Sequence, residues 1–348
     1  MTTFLVTSTG GTVGSLVLDM IRQALDKDDR LVAADAGTDV SDYPMIDAAV
    51  RLPFVDDAGY EAALTDCIRT YNIDVVLPLS EEECLAVSRM FEGGQLDADY
   101  LGMSYDTLSI ITDKIRCSDR LRDAGIDVPE HRALTTMDSF ETALADLRYP
   151  DCPVVIKPKS ARGSRGFRIV SAQTNRLNEM ARKGGPIFID LDQVKAVFAG
   201  QEDKLENFFL MEFLSNGSAS VDLVAWNGQA LGIFPHIRMG YPWGFVDHAR
   251  ITRHAEIEAY CTTVIAELGL HGMCNIEVGW RADGSLSLIE VNGRTSATVA
   301  QNMLVGANSM AMILQARAGR PSPHVFHTEK QYRTVTAQLE LKTGLIPD

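Results

Sequence analysis

The chain has 348 residues, more than one average domain of ~100–150 residues, which predicts two or three lobes. Hydrophobic residues make up 46% of it and charged residues 23%, a balance that excludes an intrinsically disordered protein. The net charge of −15 disfavours nucleic acid as a partner, because an acidic surface repels phosphate backbones.

The cysteine pattern and the apolar runs predict the cellular compartment of the protein. Six cysteines are scattered without a Cys-x-x-Cys pair, which is typical of reduced thiols in a cytoplasm. No apolar run approaches the ~18 residues of a membrane span, and the first residues lack the basic segment of a signal peptide. We therefore expect a cytoplasmic protein with no membrane partner.

The first hundred residues alternate predicted strands with predicted helices. Strands are expected at 4–7, 31–34 and 74–79. A glycine turn follows the first strand, and Ser80 with Glu83 forms an expected capping box at the start of a helix after the third. Alternation of this kind predicts a parallel, doubly wound sheet.

The glycine turn at 8–14 resembles the dinucleotide fingerprint G-x-G-x-x-G, except that Thr9 replaces its first glycine. Asp35 lies about twenty residues beyond Gly14, where a ribose-binding acid would be sought. A structural turn is the favoured interpretation, and a nicotinamide oxidoreductase is the alternative. A phosphate or carboxylate could also bind at the helix N-terminus, beside Gly11.

A basic loop is predicted in the middle of the chain. A helix with Asp113 and Lys114 in its first turn is expected to run to Gly125, and helix 138–147 then leads to a strand at 154–157. The twelve residues from Lys157 to Arg168 contain five cations and no acid. Their glycines and serines favour a polyphosphate cradle over a nucleic-acid surface, which would interleave aromatic residues. A solvated hairpin tip is the alternative.

The last third predicts strands at 209–213, 221–226 and 230–234, a helix at 254–268 and a hairpin from Asn275 to Asn292. Within that hairpin, Asp283 and Gly284 predict a two-residue type I′ turn in which Ala282 faces Ser285.

This register brings two glutamates together. It places Glu277 opposite Glu290 and Asn275 opposite Asn292 on one face. The other face, with Ile276 opposite Val291 and Val278 opposite Ile289, is apolar and expected in the core. Like charges opposed across a sheet are destabilising unless a cation lies between them. We therefore expect Mg²⁺ shared with substrate phosphates, with Asn292 as third ligand, rather than a solvated pair.

In this order, these features resemble an ATP-grasp enzyme of the carbamoyl-phosphate-synthase-like branch. The resemblance runs from about residue 4 to about residue 310. It is carried by the motifs Asp113-Lys114, Val155-Ile156-Lys157-Pro158, the loop 160–166, Leu210-Met211-Glu212-Phe213-Leu214, Ser220-Val221-Asp222, Cys274-Asn275-Ile276-Glu277 and Ile289-Glu290-Val291-Asn292-Gly293-Arg294. It implies an α/β protein: a doubly wound, Rossmann-like pre-ATP-grasp domain (1–110) followed by a two-lobed α+β ATP-grasp domain, with a small lobe and its lid (111–208) and a large lobe with the metal site (209–348).

The resemblance also implies an ATP site between the two lobes. Lysines would hold the phosphates, the glycine loop would close as a lid, and the hinge would dock the adenine edge. The implied ATP-binding residues are Lys114, Lys157, Arg162, Gly163, Ser164, Gly166, Glu212, Phe213 and Leu214.

For the metal, the resemblance implies Glu277, Glu290 and Asn292 as ligands of one or two Mg²⁺ ions, which Mn²⁺ could replace. Arg294 and Lys157 would be catalytic, stabilising the transferring phosphoryl group. The chain departs from the family at two positions. Ser218 stands where a ribose-binding glutamate is usual, and Gly293 replaces the proline of Asn-Pro-Arg.

Substrate residues are expected in the loop that follows the strand near 234. Arg238 could grip a carboxylate, with His236 and Trp243 beside it and Gly11 contributed by the first turn. Packing against the neighbouring strand is the alternative for Trp243.

The implied reaction joins a small-molecule carboxylate to an amine. The carboxylate attacks the γ-phosphorus of ATP, the amine displaces phosphate from the acyl phosphate, and ADP and phosphate are released. A phosphotransferase that makes a carbamoyl- or acyl-phosphate shares every motif and is the alternative. A non-catalytic nucleotide-binding module and an NAD(P)-dependent oxidoreductase are the other two. The resemblance also allows a homodimer.

Overall fold

The computed structural model describes residues 1–11, 13–160, 166–181, 187–239, 246 and 248–333. The described residues form three sheets with helices packed between and around them. The helices are α1 (Gly14–Ala24), α2 (Tyr60–Tyr71), α3 (Glu81–Glu92), α4 (Tyr105–Ile111), α5 (Lys114–Asp123), α6 (Met137–Asp146), α7 (Arg176–Met180), α8 (Leu191–Phe198), α9 (Ala255–Leu268) and α10 (Ser309–Arg317), with 3₁₀ turns at Glu202–Asn207 and Val299–Val305.

The first sheet is parallel, as the sequence predicts. Its strands, in the order β3-β2-β1-β4-β5, are β1 (Thr3–Thr7), β2 (Arg30–Asp35), β3 (Ala48–Arg51), β4 (Val75–Pro78) and β5 (Asp99–Tyr100). Helices α2 and α3 cover one of its faces. The edge strand β3 escaped prediction because it is short and only half-buried, so its sequence lacks an apolar run.

The second sheet forms the small lobe. Its strands, in the order β6-β10-β7-β8-β9, are β6 (His131–Ala133), β7 (Val154–Pro158), β8 (Arg168–Val170), β9 (Phe188–Ile189) and β10 (Phe208–Glu212). Helices α6 and α8 pack on one face. The other face carries Val155, Phe209 and Met211. The expected lobe boundary fell after residue 208, but β10 pairs with β6 and β7 and so lies with the small-lobe strands.

The third sheet is antiparallel and forms the large lobe. Its strands, in the order β15-β14-β11-β12-β13-β16, are β11 (Ser218–Trp226), β12 (Gln229–Arg238), β13 (His248–Ile251), β14 (Gly272–Trp280), β15 (Leu286–Asn292) and β16 (Lys330–Arg333). Its Val224, Phe234 and Met273 share one core with Val6 of the first sheet and with Ile313 of α10. The first sheet and the large lobe therefore pack as one unit.

The β14–β15 hairpin does not turn where the sequence predicted. Arg281, not Ala282, faces Ser285, and the loop has three residues with Gly284 at φ 88°. A three-residue loop that ends in a left-handed glycine is a common hairpin connection, so this prediction was wrong at the turn.

A second irregularity restores the register. Val278 pairs with Leu288 rather than with Ile289, which makes Ile289 the extra residue of a β-bulge. Beyond the bulge, Glu277 pairs with Glu290, and Asn275 with Asn292, as predicted. The two one-residue displacements cancel, so the pairing at the candidate site is confirmed.

Among the residues that the structure describes, no helix is both long and apolar enough to cross a lipid bilayer.

Candidate active site

Two opposed carboxylates form the centre of the site. The side chains of Glu277 and Glu290 are 15% and 24% exposed. Arg238 Nη2 lies 2.7 Å from Glu277 Oε2, and Lys114 Nζ lies 3.6 Å from Glu290 Oε2. The protein's own cations therefore relieve the repulsion that was expected to require a metal. Two side-chain cations thus share the role that the sequence prediction gave to Mg²⁺ alone.

Burial raises the pKa of the Glu277 carboxyl above its ordinary value, and the nearby Glu290 raises it further. The positive charge of Arg238 and a hydrogen bond from Ser220 act in the opposite direction. Glu277 is therefore a carboxylate whose ionised form depends on a cation beside it.

Asn292, the third expected ligand, is held by a series of buried hydrogen bonds. Asn292 Nδ2 donates to Asn275 Oδ1 at 3.2 Å, and Asn275 Nδ2 donates to Ser220 Oγ at 2.9 Å and to Asp222 Oδ1 at 3.3 Å. Because the amide nitrogen of Asn292 is used in this way, its amide oxygen is the atom that could bind a metal.

Asp222 accepts the last hydrogen bond of this buried series, a role that the sequence did not reveal. It is 1% exposed, and its carboxylate accepts hydrogen bonds from Ser296 and, at 2.9 Å, from Thr298 Oγ1. These two residues lie in the loop just after Arg294. Asp222 therefore fixes both the Asn292 amide and the segment that carries Arg294. An acid in the middle of a fully buried strand was the available signal.

This donor set fits magnesium. Two carboxylates and an amide oxygen are hard ligands of the kind that Mg²⁺ takes. In the part of the chain that the structure describes, no three or more His, Cys, Asp or Glu side chains cluster as a metal site. A cation held here would therefore have few protein ligands, as is usual for Mg²⁺ shared with substrate phosphates.

Lys157, on strand β7 of the small lobe, reaches the same site. It is 4% exposed, its Nζ donates to the Ile289 carbonyl at 2.9 Å, and it lies 5.3 Å from the centre of the Phe209 ring. Its acceptor is thus the bulge residue next to Glu290. Burial lowers the pKa of Lys157 to about 8, an effect that Lys114 strengthens and Glu290 opposes.

Helix α3 begins with Glu81, a glutamate that the sequence had suggested only as part of a helix start. Burial raises the pKa of Glu81, whereas the charges of Lys114 and Arg294 lower it, so this carboxyl lies near both cations. It follows the carboxyl end of β4, the edge at which parallel sheets bind ligands. That position was the signal by which Glu81 could have been found.

The capping box next to Glu81 forms only in part. Ser80 Oγ accepts from the Glu83 backbone N–H at 3.3 Å, as expected. The Glu83 carboxylate instead accepts hydrogen bonds from the hydroxyls of Thr7 and Ser8, both at 2.6 Å, and of Tyr60 at 3.2 Å. It braces the glycine turn.

The described part of the glycine turn is held by hydrogen bonds within the fold. Gly10 N donates to Asp35 Oδ2 at 2.7 Å, and Asp35 Oδ1 accepts from the two backbone N–H groups of Gly37 and Thr38. A Cβ on Gly14 would lie 1.7 Å from the Thr9 carbonyl oxygen, so only glycine fits there. Both features that favoured a nicotinamide site are thus used within the fold. Gly11 has open space beside it, and its contact with substrate stays a prediction.

His236 is not placed to meet a substrate, contrary to expectation. Its ring is fully buried, and its nitrogens lie 3.0 Å from Asp222 Oδ2 and 2.8 Å from the Tyr332 hydroxyl. Asn302 Oδ1 lies 2.9 Å from Nε2 as well. The side chain belongs to the buried network of Asp222.

Arg238 lies at the carboxylate pair. It is 6% exposed, and its Nη1 donates to Ser218 Oγ at 3.0 Å while its Nη2 contacts Glu277. The serine that replaces the usual ribose-binding glutamate is therefore paired with this arginine.

The hinge differs from its expected role. Glu212 accepts two hydrogen bonds from Arg281 Nε, at 2.9 and 3.1 Å, so its carboxylate faces the large lobe rather than a nucleotide. Phe213 packs near Val155 and Phe209, and Leu214 contacts Gly279. The adenine contact of this segment stays a prediction, and with Glu212 engaged by Arg281 it would fall to the hinge backbone.

The remaining predicted features are Gly293, the basic loop that ends at Gly166, and the loop that contains Trp243. A Cβ on Gly293 would lie 2.3 Å from Leu108 Cδ2 of α4, so any larger residue there, proline included, would require Leu108 to shift. Gly166, at the end of the basic loop, has φ 75°. The expected contacts of Arg162, Gly163, Ser164 and Trp243 lie outside the described residues.

Comparisons with known proteins bear on the fold. Residues 204–339 match the family described as ATP-grasp in the biosynthetic pathway with Ter operon. The chain has the ATP-grasp fold. The resemblance inferred from the sequence motifs and the predicted α/β architecture are both confirmed. No curated protein sequence matches the chain significantly.

Several solved structures share the ATP-grasp architecture at low sequence identity. An L-amino acid ligase from Bacillus licheniformis superposes with TM-score 0.66 at 16% identity, over 90% of this chain and 73% of its own. The N5-carboxyaminoimidazole synthetase of Staphylococcus aureus, solved with ADP, gives 0.67 at 13%, over 94% and 79%. The biotin carboxylase domain dimer of Hydrogenobacter thermophilus 2-oxoglutarate carboxylase, solved with MgADP and bicarbonate, gives 0.68 at 14%, over 94% and 73%.

Proposed function

We propose that this chain is an ATP-dependent ligase that joins a small-molecule carboxylate to an amine. The observation that carries the proposal is the convergence of Lys114 and Lys157 on a pair of opposed carboxylates, Glu277 and Glu290, at the junction of the lobes. The match to an ATP-grasp biosynthetic family and the likeness to an L-amino acid ligase support it.

The chemistry assigned to these residues is phosphoryl transfer followed by amide formation. Lys114 and Lys157 hold the phosphates of ATP, and Arg294 neutralises charge on the γ-phosphoryl group as the substrate carboxylate oxygen attacks phosphorus. The bond to the ADP oxygen breaks, which leaves an acyl phosphate. The amine then attacks the acyl carbon, phosphate leaves with the electron pair of the C–O bond, and the amine loses a proton.

Glu277, Glu290 and Asn292 would hold Mg²⁺, or Mn²⁺ in its place. Bound there, the ion would supply neutralisation of the β- and γ-phosphate oxygens. Arg238, which contacts Glu277, would exchange that partner for the substrate carboxylate. A cytoplasmic location and a homodimer belong to the same proposal.

A phosphate-release screen with ATP, Mg²⁺ and pooled carboxylates and amines tests this function. Release that requires one member of each pool and is lost in Glu290→Gln supports it. The exposed Glu206→Gln serves as control and should behave as wild type. ATP consumption with a carboxylate alone, with an acyl phosphate trapped by hydroxylamine, would favour the phosphotransferase. Release unaffected by Glu290→Gln would refute the proposed site.

A further inference from the structure

Arg281, the residue that follows β14, joins three separate segments of the chain. Its guanidinium contacts Glu212 at the end of β10, Asp127 and Val128 in the loop after α5, and Ser285 and Ser287 at the hairpin. The side chain is 19% exposed. Nothing in the ligase chemistry above uses this residue.

Every N–H group of this guanidinium has a partner. Nε donates to both Glu212 oxygens, Nη1 to Asp127 Oδ2 at 2.7 Å and Ser285 Oγ at 3.4 Å, and Nη2 to the Val128 carbonyl at 3.4 Å and Ser287 Oγ at 3.2 Å. An arginine has five such donors in a rigid plane. A fully used set fixes the relative position of the three segments more firmly than a single ion pair, and a lysine could not reproduce it.

Glu212 immediately precedes the hinge residues Phe213 and Leu214. Along β10, Phe209 and Met211 point to the face that carries Lys157, whereas Leu210 points to the helix-covered face. Because side chains alternate along a strand, Glu212 lies on the same side of β10 as Leu210, opposite the face that carries Lys157. Arg281 therefore contacts the hinge from the side opposite the face that carries Lys157.

Arg281 also links the hinge to the β14–β15 hairpin, which carries Glu277 and Glu290. Strands β14 and β15 carry Glu277 and Glu290 toward one end, and Arg281 and Ser287 lie toward the other. The guanidinium thus connects the hinge to the hairpin that carries the opposed carboxylates.

We propose that Arg281 is a positioning residue for the base of the nucleotide. It fixes the hinge backbone at 212–214 against the hairpin, so that the adenine ring and the phosphates reach their sites at once. This inference rests on the proposed nucleotide site, and it assigns the adenine affinity, rather than the phosphate chemistry, to the Arg281 contacts.

Comparing ATP with a ligand that has the phosphates but no nucleoside separates adenine affinity from phosphate binding. Calorimetry with Mg²⁺ compares ATP with inorganic tripolyphosphate, which lacks adenosine. For Arg281→Gln we expect the dissociation constant for ATP to rise about tenfold or more, since charged hydrogen bonds are lost. The constant for tripolyphosphate should stay within about twofold. In turnover assays the KM for ATP should rise with kcat nearly unchanged, the signature of lost ground-state binding.

Three further variants control the experiment. Arg281→Lys should not restore ATP affinity, because one ammonium with three N–H donors cannot serve the six acceptor atoms around this guanidinium. Glu212→Gln, which keeps an acceptor for Nε, should show the same selective loss to a smaller extent and replaces Arg281→Gln if that variant does not fold. Arg120→Gln removes a comparable bridge, from α5 to Glu267 of α9 at 2.8 Å, and should leave both ligands unaffected.

The outcomes are distinguishable. An Arg281→Gln protein that binds ATP as wild type does, or that loses ATP and tripolyphosphate equally, overturns the inference and leaves the proposed ligase standing. A wild-type protein that binds neither ligand overturns both.

Discussion

Replacing Lys157 by methionine should stabilise the protein while abolishing its activity. The ammonium is almost completely buried at the end of β7, where desolvation lowers its pKa from 10.5 to about 8. A displacement of that size corresponds to about 3 kcal/mol of unfolding free energy lost at pH 7. Methionine is similar in length and carries no charge, so it removes this cost.

Two smaller losses oppose the gain. The Ile289 carbonyl loses its 2.9 Å donor, and the contact of the ammonium with the Phe209 ring disappears. Together these amount to about 1–2 kcal/mol, which leaves Lys157→Met more stable than wild type by about 1–2 kcal/mol at pH 7.

The pH dependence is the sharper part of this prediction. Between pH 8 and 10.5 the unfolded chain keeps a proton on Lys157 that the folded chain has released, so wild-type stability rises with pH in that window. At pH 9.5 the cost of the ammonium has fallen to about 1 kcal/mol. The advantage of Lys157→Met should therefore shrink by about 2 kcal/mol from pH 7 to pH 9.5.

Urea unfolding of both proteins at the two pH values measures this difference. Lys204→Met, at a largely exposed lysine paired with Asp203, is the control and should show no comparable change. A Lys157→Met advantage that is the same at pH 7 and pH 9.5 would refute the assignment of a strained, buried ammonium. Retained ligase activity in that variant would refute its role at the phosphates.

Two further predictions concern the supports of the site. Asp222→Asn removes the carboxylate that accepts from Ser296, Thr298 and Asn275; we expect about 2–4 kcal/mol of lost stability and a fall in kcat, measured by urea unfolding and turnover. Unchanged kcat would show that this network does not orient the site. Gly293→Pro, which introduces the residue expected from the ATP-grasp resemblance, should destabilise the protein by about 1–3 kcal/mol because of its clash with Leu108. Leu108→Ala should relieve that clash, and a Gly293→Pro protein as stable as wild type would contradict it.

Much of the site could be predicted from the sequence because its central pair lies on one hairpin. Opposed residues of a hairpin are fixed by local register, so Glu277 and Glu290 could be paired without knowledge of the fold. The turn was assigned wrongly and the bulge at Ile289 was not foreseen, but the two displacements cancel. The alternation of strands and helices likewise predicted the parallel first sheet.

The features that were missed depend on contacts distant in sequence. Arg238 reaches Glu277 across the intervening strand β11, and Glu81 reaches the site from the first sheet. His236 was assigned to substrate from its neighbourhood in the sequence, but the side of β12 on which it lies is buried by Tyr332 and Asn302. Glu212 was assigned to adenine before its partner, Arg281, could be known.

A crystal structure of the protein with an ATP analogue and Mn²⁺ tests the central claim most directly. We expect an anomalous peak between Glu277 and Glu290, with Asn292 Oδ1 and phosphate oxygens completing the coordination, and Arg238 withdrawn from Glu277. A metal bound elsewhere, with both carboxylates still paired to Arg238 and Lys114, would contradict it.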